Sequence, residues 1–171
     1  MKGFNRVSKV TLLLLMLVIP ALAAGPKIVD NPFTPFVIPA AIGCGTFDVN
    51  AAPEAGKPNG GRIIEFFNQQ GVLDSTIAHG ALFVTLTNTS NGNSINLNIS
   101  GPAKTSFTSN TAVFFGPTLF IGFPANVTPP NLRGIAFATG RTVVKFDNSG
   151  NITSVSFVGN VPQPSVCALL E

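Results

Sequence analysis

Short runs of alternating apolar and polar residues fill most of the chain beyond its first forty residues. The clearest run is Ile95 to Ser100, where isoleucine or leucine alternates with asparagine or serine. Strict alternation of this kind predicts a β-strand with one buried face. Leu82 to Thr87 is a second predicted strand, and Ser90-Asn91-Gly92-Asn93 supplies residues that tolerate positive φ between the two. We therefore expect these strands to form a hairpin.

Further strands are predicted on both sides of this hairpin. Thr142 to Asp147 and Ile152 to Val158 form a second predicted hairpin around the turn residues 148–151, and Leu132 to Thr139 adds another strand. Arg62 to Asn68 also has the composition of a strand, although Ile63, Phe66 and Phe67 could instead form one face of a short helix ended by Gly71. We favour the strand.

The most apolar segment after the amino end is Thr111 to Phe123, interrupted by Gly116-Pro117. The simpler interpretation is two buried strands joined by a turn. The alternative is an apolar surface that faces a ligand or a partner, because contiguous exposed apolar patches usually bind something. Its candidate residues are Phe114, Phe115, Phe120 and Phe123.

Proline divides the chain into regions. Residues 24–43 contain four well-spaced prolines and are expected to form an extended lead-in, since proline is excluded from helix interiors and central strands. Ala51 to Gly61 is a predicted loop for the same reason. Residues 44–171 then form one all-β domain, which we expect to be a single antiparallel β-sandwich or β-barrel of about eight to ten strands.

The amino end has the order of a secretory signal peptide. Lys2, Arg6 and Lys9 precede an apolar stretch from Val10 to Leu22, and small residues flank a cleavage position after Ala23. A membrane anchor is the alternative, but about 13 apolar residues fall short of the roughly 20 that a bilayer core requires. We expect residues 1–23 to be a cleaved signal helix and the protein to be secreted to the extracellular space, with no membrane span after cleavage.

Removal of that segment changes the charge argument. Three of the ten basic residues leave with it, so seven basic and seven acidic residues remain. The overall positive charge therefore belongs to the signal peptide and gives no indication of a nucleic-acid partner. The sequence identifies no other partner.

Cys44 and Cys167 are the only cysteines, and they lie near the two ends of the expected domain. In an oxidising compartment such a pair usually forms a disulfide. A metal site is the alternative, but two thiols and the distant His79 do not offer the usual four-ligand spacing. We expect the disulfide and no metal.

Candidates for catalysis are few. His79 is the only histidine, and Asp74-Ser75 lies just upstream, which suggests a Ser-His-Asp arrangement. Glu65 with Asp74 is the best available carboxylate pair for glycoside hydrolysis, but nothing in the sequence sets the distance between them. There is no phosphate-binding glycine loop and no dinucleotide motif, so no cofactor is predicted. No catalytic residue is predicted either, because none of the candidate groups has a defined partner.

Several short motifs, in their order along the chain, resemble small exported β proteins of Gram-positive actinobacteria. Besides the signal peptide and the early cysteine, they are Val84 to Asn88, Asn98 to Pro102, Gly140-Arg141, Asp147 to Asn151 and Val166 to Leu170. The resemblance covers most of residues 44–170. It implies a bacterial extracellular location and no particular activity.

Three functional hypotheses follow. The first is a secreted non-enzymatic β domain that acts as a binding or surface-interaction module for an unknown ligand. The second is a β-barrel carrier of a small apolar ligand, lined by the four candidate phenylalanines. The third is a hydrolase that uses His79.

Overall fold

The computed structural model describes residues 25–122, 126, 134–159 and 166–171. The predicted signal peptide and Phe123 lie outside the described residues. The described elements are β1 Lys27–Asn31, β2 Phe36–Ile38, β3 Val49–Pro53, β4 Gly60–Phe67, β5 Leu73–Ala81, β6 Phe83–Asn88, β7 Ser94–Asn98, β8 Ala103–Ser106, β9 Thr111–Phe115, β10 Thr118–Ile121, β11 Ile135–Ala138, β12 Arg141–Phe146, β13 Ile152–Val158 and α1 Val166–Leu170. Among these residues no helix is long and apolar enough to cross a membrane.

The strands form three antiparallel sheets, which confirms the all-β class. The largest sheet has the order β1-β4-β5-β8-β9-β12-β13. A four-stranded sheet has the order β2-β3-β6-β7, and β10 pairs with β11 alone. The described residues contain more strands than predicted, because several short strands lack clear alternation.

Two hydrophobic cores lie on the two sides of β10 and β11. Ile135 of β11 belongs to the first core, together with Val84 and Leu86 of the four-stranded sheet. The next residue, Ala136, belongs to the second core, with Val144 of the seven-stranded sheet. Because successive side chains of a strand point to opposite faces, β10 and β11 form a middle layer between the two larger sheets.

Both predicted hairpins are present. β6 pairs with β7 and β12 pairs with β13, each in antiparallel register. Gly92 in the first turn has φ 80° and Gly150 in the second has φ 84°, a conformation that favours glycine. In the second turn the Asp147 carboxylate accepts hydrogen bonds from the backbone N–H groups of Ser149 and Asn151 at 2.8 and 2.9 Å.

The proline-rich lead-in contributes two edge strands. β1 lies between Pro26 and Pro32 and pairs with β4, while β2 lies between Pro35 and Pro39 and pairs with β3. The prolines flank these strands instead of interrupting them, and both strands stand at the edge of their sheets. The predicted loop at 51–61 is shorter than expected, since β3 extends to Pro53 and β4 begins at Gly60.

The ends of the domain meet at the first core. The Cys44 and Cys167 sulfur atoms are 2.05 Å apart and their Cα atoms 5.3 Å apart, which is a disulfide pair across 123 residues. Cys167 lies on the short helix α1. The buried Asn88 side chain donates a hydrogen bond of 3.1 Å to the Leu170 carbonyl at the end of that helix.

Candidate functional site

Three segments of the chain cross between the seven-stranded and the four-stranded sheet. β1 leads to β2 through residues 32–35, β5 leads to β6 through Leu82, and β7 leads to β8 through residues 99–102. Residues from all three crossings line one open cleft of about 300 Å³, which we call the corner cleft. A shallower groove with Asp30 at its rim continues from it.

Hydrogen bonds fix two of the crossings to each other. The Leu82 N–H donates to the Ser100 hydroxyl at 2.8 Å, and the Ile99 N–H donates to the Leu82 carbonyl at 2.8 Å. Backbones also approach closely here, since a Cβ added at Gly80 would stand 2.4 Å from the Gly60 carbonyl oxygen. Backbone contacts therefore hold these strands and crossings in place at the cleft.

The cleft is lined by both apolar and polar residues. Phe33, Phe36, Leu82 and Ile99 supply apolar surface, and the two phenylalanine rings are 5.7 Å apart between centroids. Pockets for small molecules usually have this character, apolar with few polar groups that orient the ligand.

Arg62 and His79 also line the cleft and carry side-chain nitrogen donors. They stand opposite each other in the register of β4 and β5. The Arg62 Nε lies 3.7 Å from the Asp30 Oδ1, but their side chains are 65% and 86% exposed, so water screens this ion pair. The arginine fork has further N–H groups with which to contact a carboxylate or sulfonate.

The structure separates Ser75 from His79 and gives each of the two candidate carboxylates another partner. Ser75 and His79 are four residues apart on β5, which separates their Cα atoms by about 13 Å at the rise of a β-strand. Asp74 accepts a hydrogen bond from the Thr108 hydroxyl, and Glu65 lies 3.9 Å from the Lys27 ammonium. Within the described ranges, no three metal-ligating side chains form a cluster.

The candidate apolar ligand residues take different places. Phe120 is 3% exposed in the second core, and Phe114 packs edge-on against it with 5.4 Å between ring centroids. Phe115 is 43% exposed and, as the next residue of β9, points to the opposite face. Phe123 lies outside the described residues. The three described phenylalanines thus do not line one common surface.

Sequence reasoning missed the corner cleft. Its walls come from the lead-in and from the crossings, and the alternation that includes Ile99 and Ser100 predicts a strand but no cleft. The available signal was the clustering of glycine at positions 60, 61, 80 and 101, each beside a predicted strand. Glycine inside or beside a strand often marks close approach of a ligand or another backbone.

Comparison with known proteins gives no match: no family profile, no curated protein and no solved structure is significantly similar to this chain.

Proposed function

We propose that this protein is a secreted, non-enzymatic β domain that binds a small amphiphilic anion in the corner cleft. The observation that carries the proposal is the joining of Phe33 and Phe36 with Arg62 and His79 around one fixed cleft. An aromatic or aliphatic part of the ligand contacts the phenylalanines. Its anionic group accepts hydrogen bonds from Arg62 and from the ring N–H that His79 offers.

The non-enzymatic part of the proposal rests on the spacing of the reactive groups. General base catalysis requires the base within about 3 Å of the proton that it removes. The Ser75 hydroxyl is too far from His79 to meet this condition, because the two residues are four positions apart on β5. A side chain that only binds a ligand needs no general base beside it.

The secreted part rests on the predicted signal peptide and on the cysteine pair, because disulfides persist mainly outside the reducing cytosol. The resemblance to exported actinobacterial β proteins points to the same location. Amino-terminal sequencing of protein recovered from the culture medium is expected to begin at Ala24 or Gly25. A secreted form that still begins at Met1 would contradict this part.

The binding proposal is testable with a pair of probes that differ in charge. 8-Anilinonaphthalene-1-sulfonate carries aromatic rings and a sulfonate, while N-phenyl-1-naphthylamine has the rings alone. Both are expected to fluoresce on binding with one site per chain. Arg62→Gln is expected to weaken the sulfonate about fivefold and leave the neutral probe unchanged, as for loss of one solvent-exposed ionic contact.

Phe36→Ala and Lys27→Gln complete the design. Phe36→Ala removes part of the wall and is expected to weaken both probes. Lys27→Gln removes one positive charge from β1, outside the cleft, and should leave both affinities unchanged. Equal weakening by Arg62→Gln and Lys27→Gln, or no effect of Phe36→Ala, would overturn the proposal.

A further inference from the structure

The seven-stranded sheet has one face that contributes to no hydrophobic core among the described residues. One row across this face consists of side chains opposite one another in the registers: Ile28, Ile64, Ile77, Lys104, Val113 and Val143. None of them belongs to either core, whereas Val144, the next residue of β12, is buried in the second. We call the face that carries this row the outer face.

Positive charge is concentrated on the outer face. Arg62, Lys104, Arg141 and Lys145 all belong to it, since each lies in the row or two residues from it on the same strand. These are four of the six lysine and arginine residues in the described ranges. The neutral total charge of the chain after signal cleavage therefore conceals an uneven distribution.

Little negative charge offsets these cations. Asp30 lies opposite Arg62 in register and pairs with it. Asp74 lines a shallow pocket beside Lys104, where its carboxylate accepts the Thr108 hydroxyl. Within the described residues, the other two cations of the face, Arg141 and Lys145, form no ion pair.

The spacing of the cations suits an extended anionic surface. Lys104 is two strands and two residues away from both Arg141 and Lys145, which places each pair of Cα atoms about 12 Å apart. At such distances like charges repel weakly at physiological salt, where the screening length is about 8 Å. An anionic partner that spans the strands would contact several cations at once.

Exposed apolar side chains share this face with the cations. Ile28 is 63% exposed at one end, and Phe115 and Val158 are 43% and 65% exposed near the other. Phe115 and Val158 both stand opposite Arg141 in the registers of β12, so they lie on the same face. A purely polar polyanion gains nothing from these groups, but a lipid surface receives both charge and apolar contacts.

We propose that the outer face binds a membrane surface rich in anionic lipid, as a peripheral contact. Lysine and arginine side chains reach the lipid phosphates, while Phe115, Val158 and Ile28 contact the boundary between headgroups and acyl chains. Arg62 belongs both to this face and to the corner cleft, so the test of this proposal uses Lys104 and Lys145, which do not line that cleft.

Vesicle co-sedimentation of the protein purified from culture medium provides the test. Binding is expected to vesicles of phosphatidylcholine mixed with phosphatidylglycerol, to fall with added salt, and to be at least tenfold weaker on phosphatidylcholine alone. Lys104→Gln and Lys145→Gln should each lower the partition coefficient about fivefold, and the double substitution about 25-fold.

Matched substitutions separate this mechanism from its rivals. Lys27→Gln makes the same change of charge on the opposite face of the sheet, where Lys27 pairs with Glu65, and is expected to leave binding unchanged. Val158→Ser is expected to weaken binding several-fold without altering charge. Equal weakening by Lys27→Gln would overturn the proposal. If Val158→Ser had no effect and the protein bound dextran sulfate tightly, the partner would be an acidic polymer. That result would also overturn the proposal.

Discussion

The two halves of the seven-stranded sheet differ in what covers them. In β9, β12 and β13 every strand carries at least one buried side chain, among them Ala112, Val144 and Val155, which pack in the second core with β10 and β11. In β1, β4, β5 and β8 no residue is buried, although the four strands are well paired. One half of the sheet therefore packs one of its faces in a core, while the other half has no buried residue on either face.

The corner cleft lies in the uncovered half. Arg62 and His79 belong to β4 and β5, and the phenylalanine wall follows directly after β1. Side chains that are not committed to a core are available to contact a ligand, while the hydrogen-bonded registers of the sheet hold them in place. The difference between the halves leads to predictions that separate changes of stability from changes of binding.

The largest effect is expected from the disulfide, which ties α1 to the first core and does not contact the uncovered half. Cys44→Ser is expected to lower the free energy of unfolding by about 4 to 5 kcal/mol, since the bridge closes a loop of more than a hundred residues. Urea unfolding of the purified variant measures this loss. A change below about 1 kcal/mol would mean that the other contacts of α1, including the bond from Asn88, hold the chain ends without the bridge.

A matched pair of valines tests the contrast between the halves. Val144→Ala removes two methyl groups from the second core and is expected to cost about 2 to 3 kcal/mol of unfolding free energy. Val29→Ala makes the same change in β1, where the side chain is only partly buried, and should cost less than about 1 kcal/mol. Equal losses for the two variants would show that something covers the uncovered half as well.

Gly80→Ala tests the close approach of backbones at the corner cleft. The added Cβ would stand 2.4 Å from the Gly60 carbonyl oxygen, so β4 and β5 must move apart at this point. The expected cost is about 1 to 2 kcal/mol, with a loss of affinity for both naphthyl probes. Gly56→Ala is not a neutral control, because its φ of 74° already disfavours a side chain. Gly25→Ala, with open space around it, is the suitable control.

The smallest effect concerns acid pH at the turn after β12. Hydrogen bonds from the Asn151 side chain and from backbone N–H groups hold the pKa of the Asp147 carboxyl below its ordinary value of 3.8. A lowered pKa stabilises the fold at pH values above the ordinary one, and this contribution is lost as the pH falls through the lowered value. Asp147→Asn should therefore flatten the decline of the melting temperature below about pH 4. An unchanged acid profile would contradict it.

The parts of the fold that the sequence predicted are those with local signals. The hairpins at residues 82–100 and 142–158 have alternating strands and turns with glycine or asparagine, and both are present. β5 lacks alternation because neither of its faces is buried, so no periodic pattern existed to read. β1 and β2 were hidden among prolines that flank them.

The candidate site was less predictable than the fold for a related reason. Phe33, Arg62 and Ile99 are far apart in the sequence. They meet only where three segments of the chain pass from one sheet to another. Such crossings depend on pairing between strands that are far apart in the sequence, and no local sequence pattern predicts that pairing. Charge segregation on the outer face was hidden in the same way, since the register places Lys104 near Lys145 but the sequence separates them.

Backbone amide chemical shifts, recorded while 8-anilinonaphthalene-1-sulfonate is added to the protein, test the central claim most directly. The account predicts amide shifts that saturate together among the residues that line the corner cleft: Asn31, Phe33, Thr34, Phe36, Gly61, Arg62, His79, Gly80 and Leu82. The amides of β12 and β13 should remain unchanged, because neither strand lines the corner cleft. Shifts concentrated in β12 and β13, with none at the corner cleft, would contradict the placement of ligand binding in that cleft.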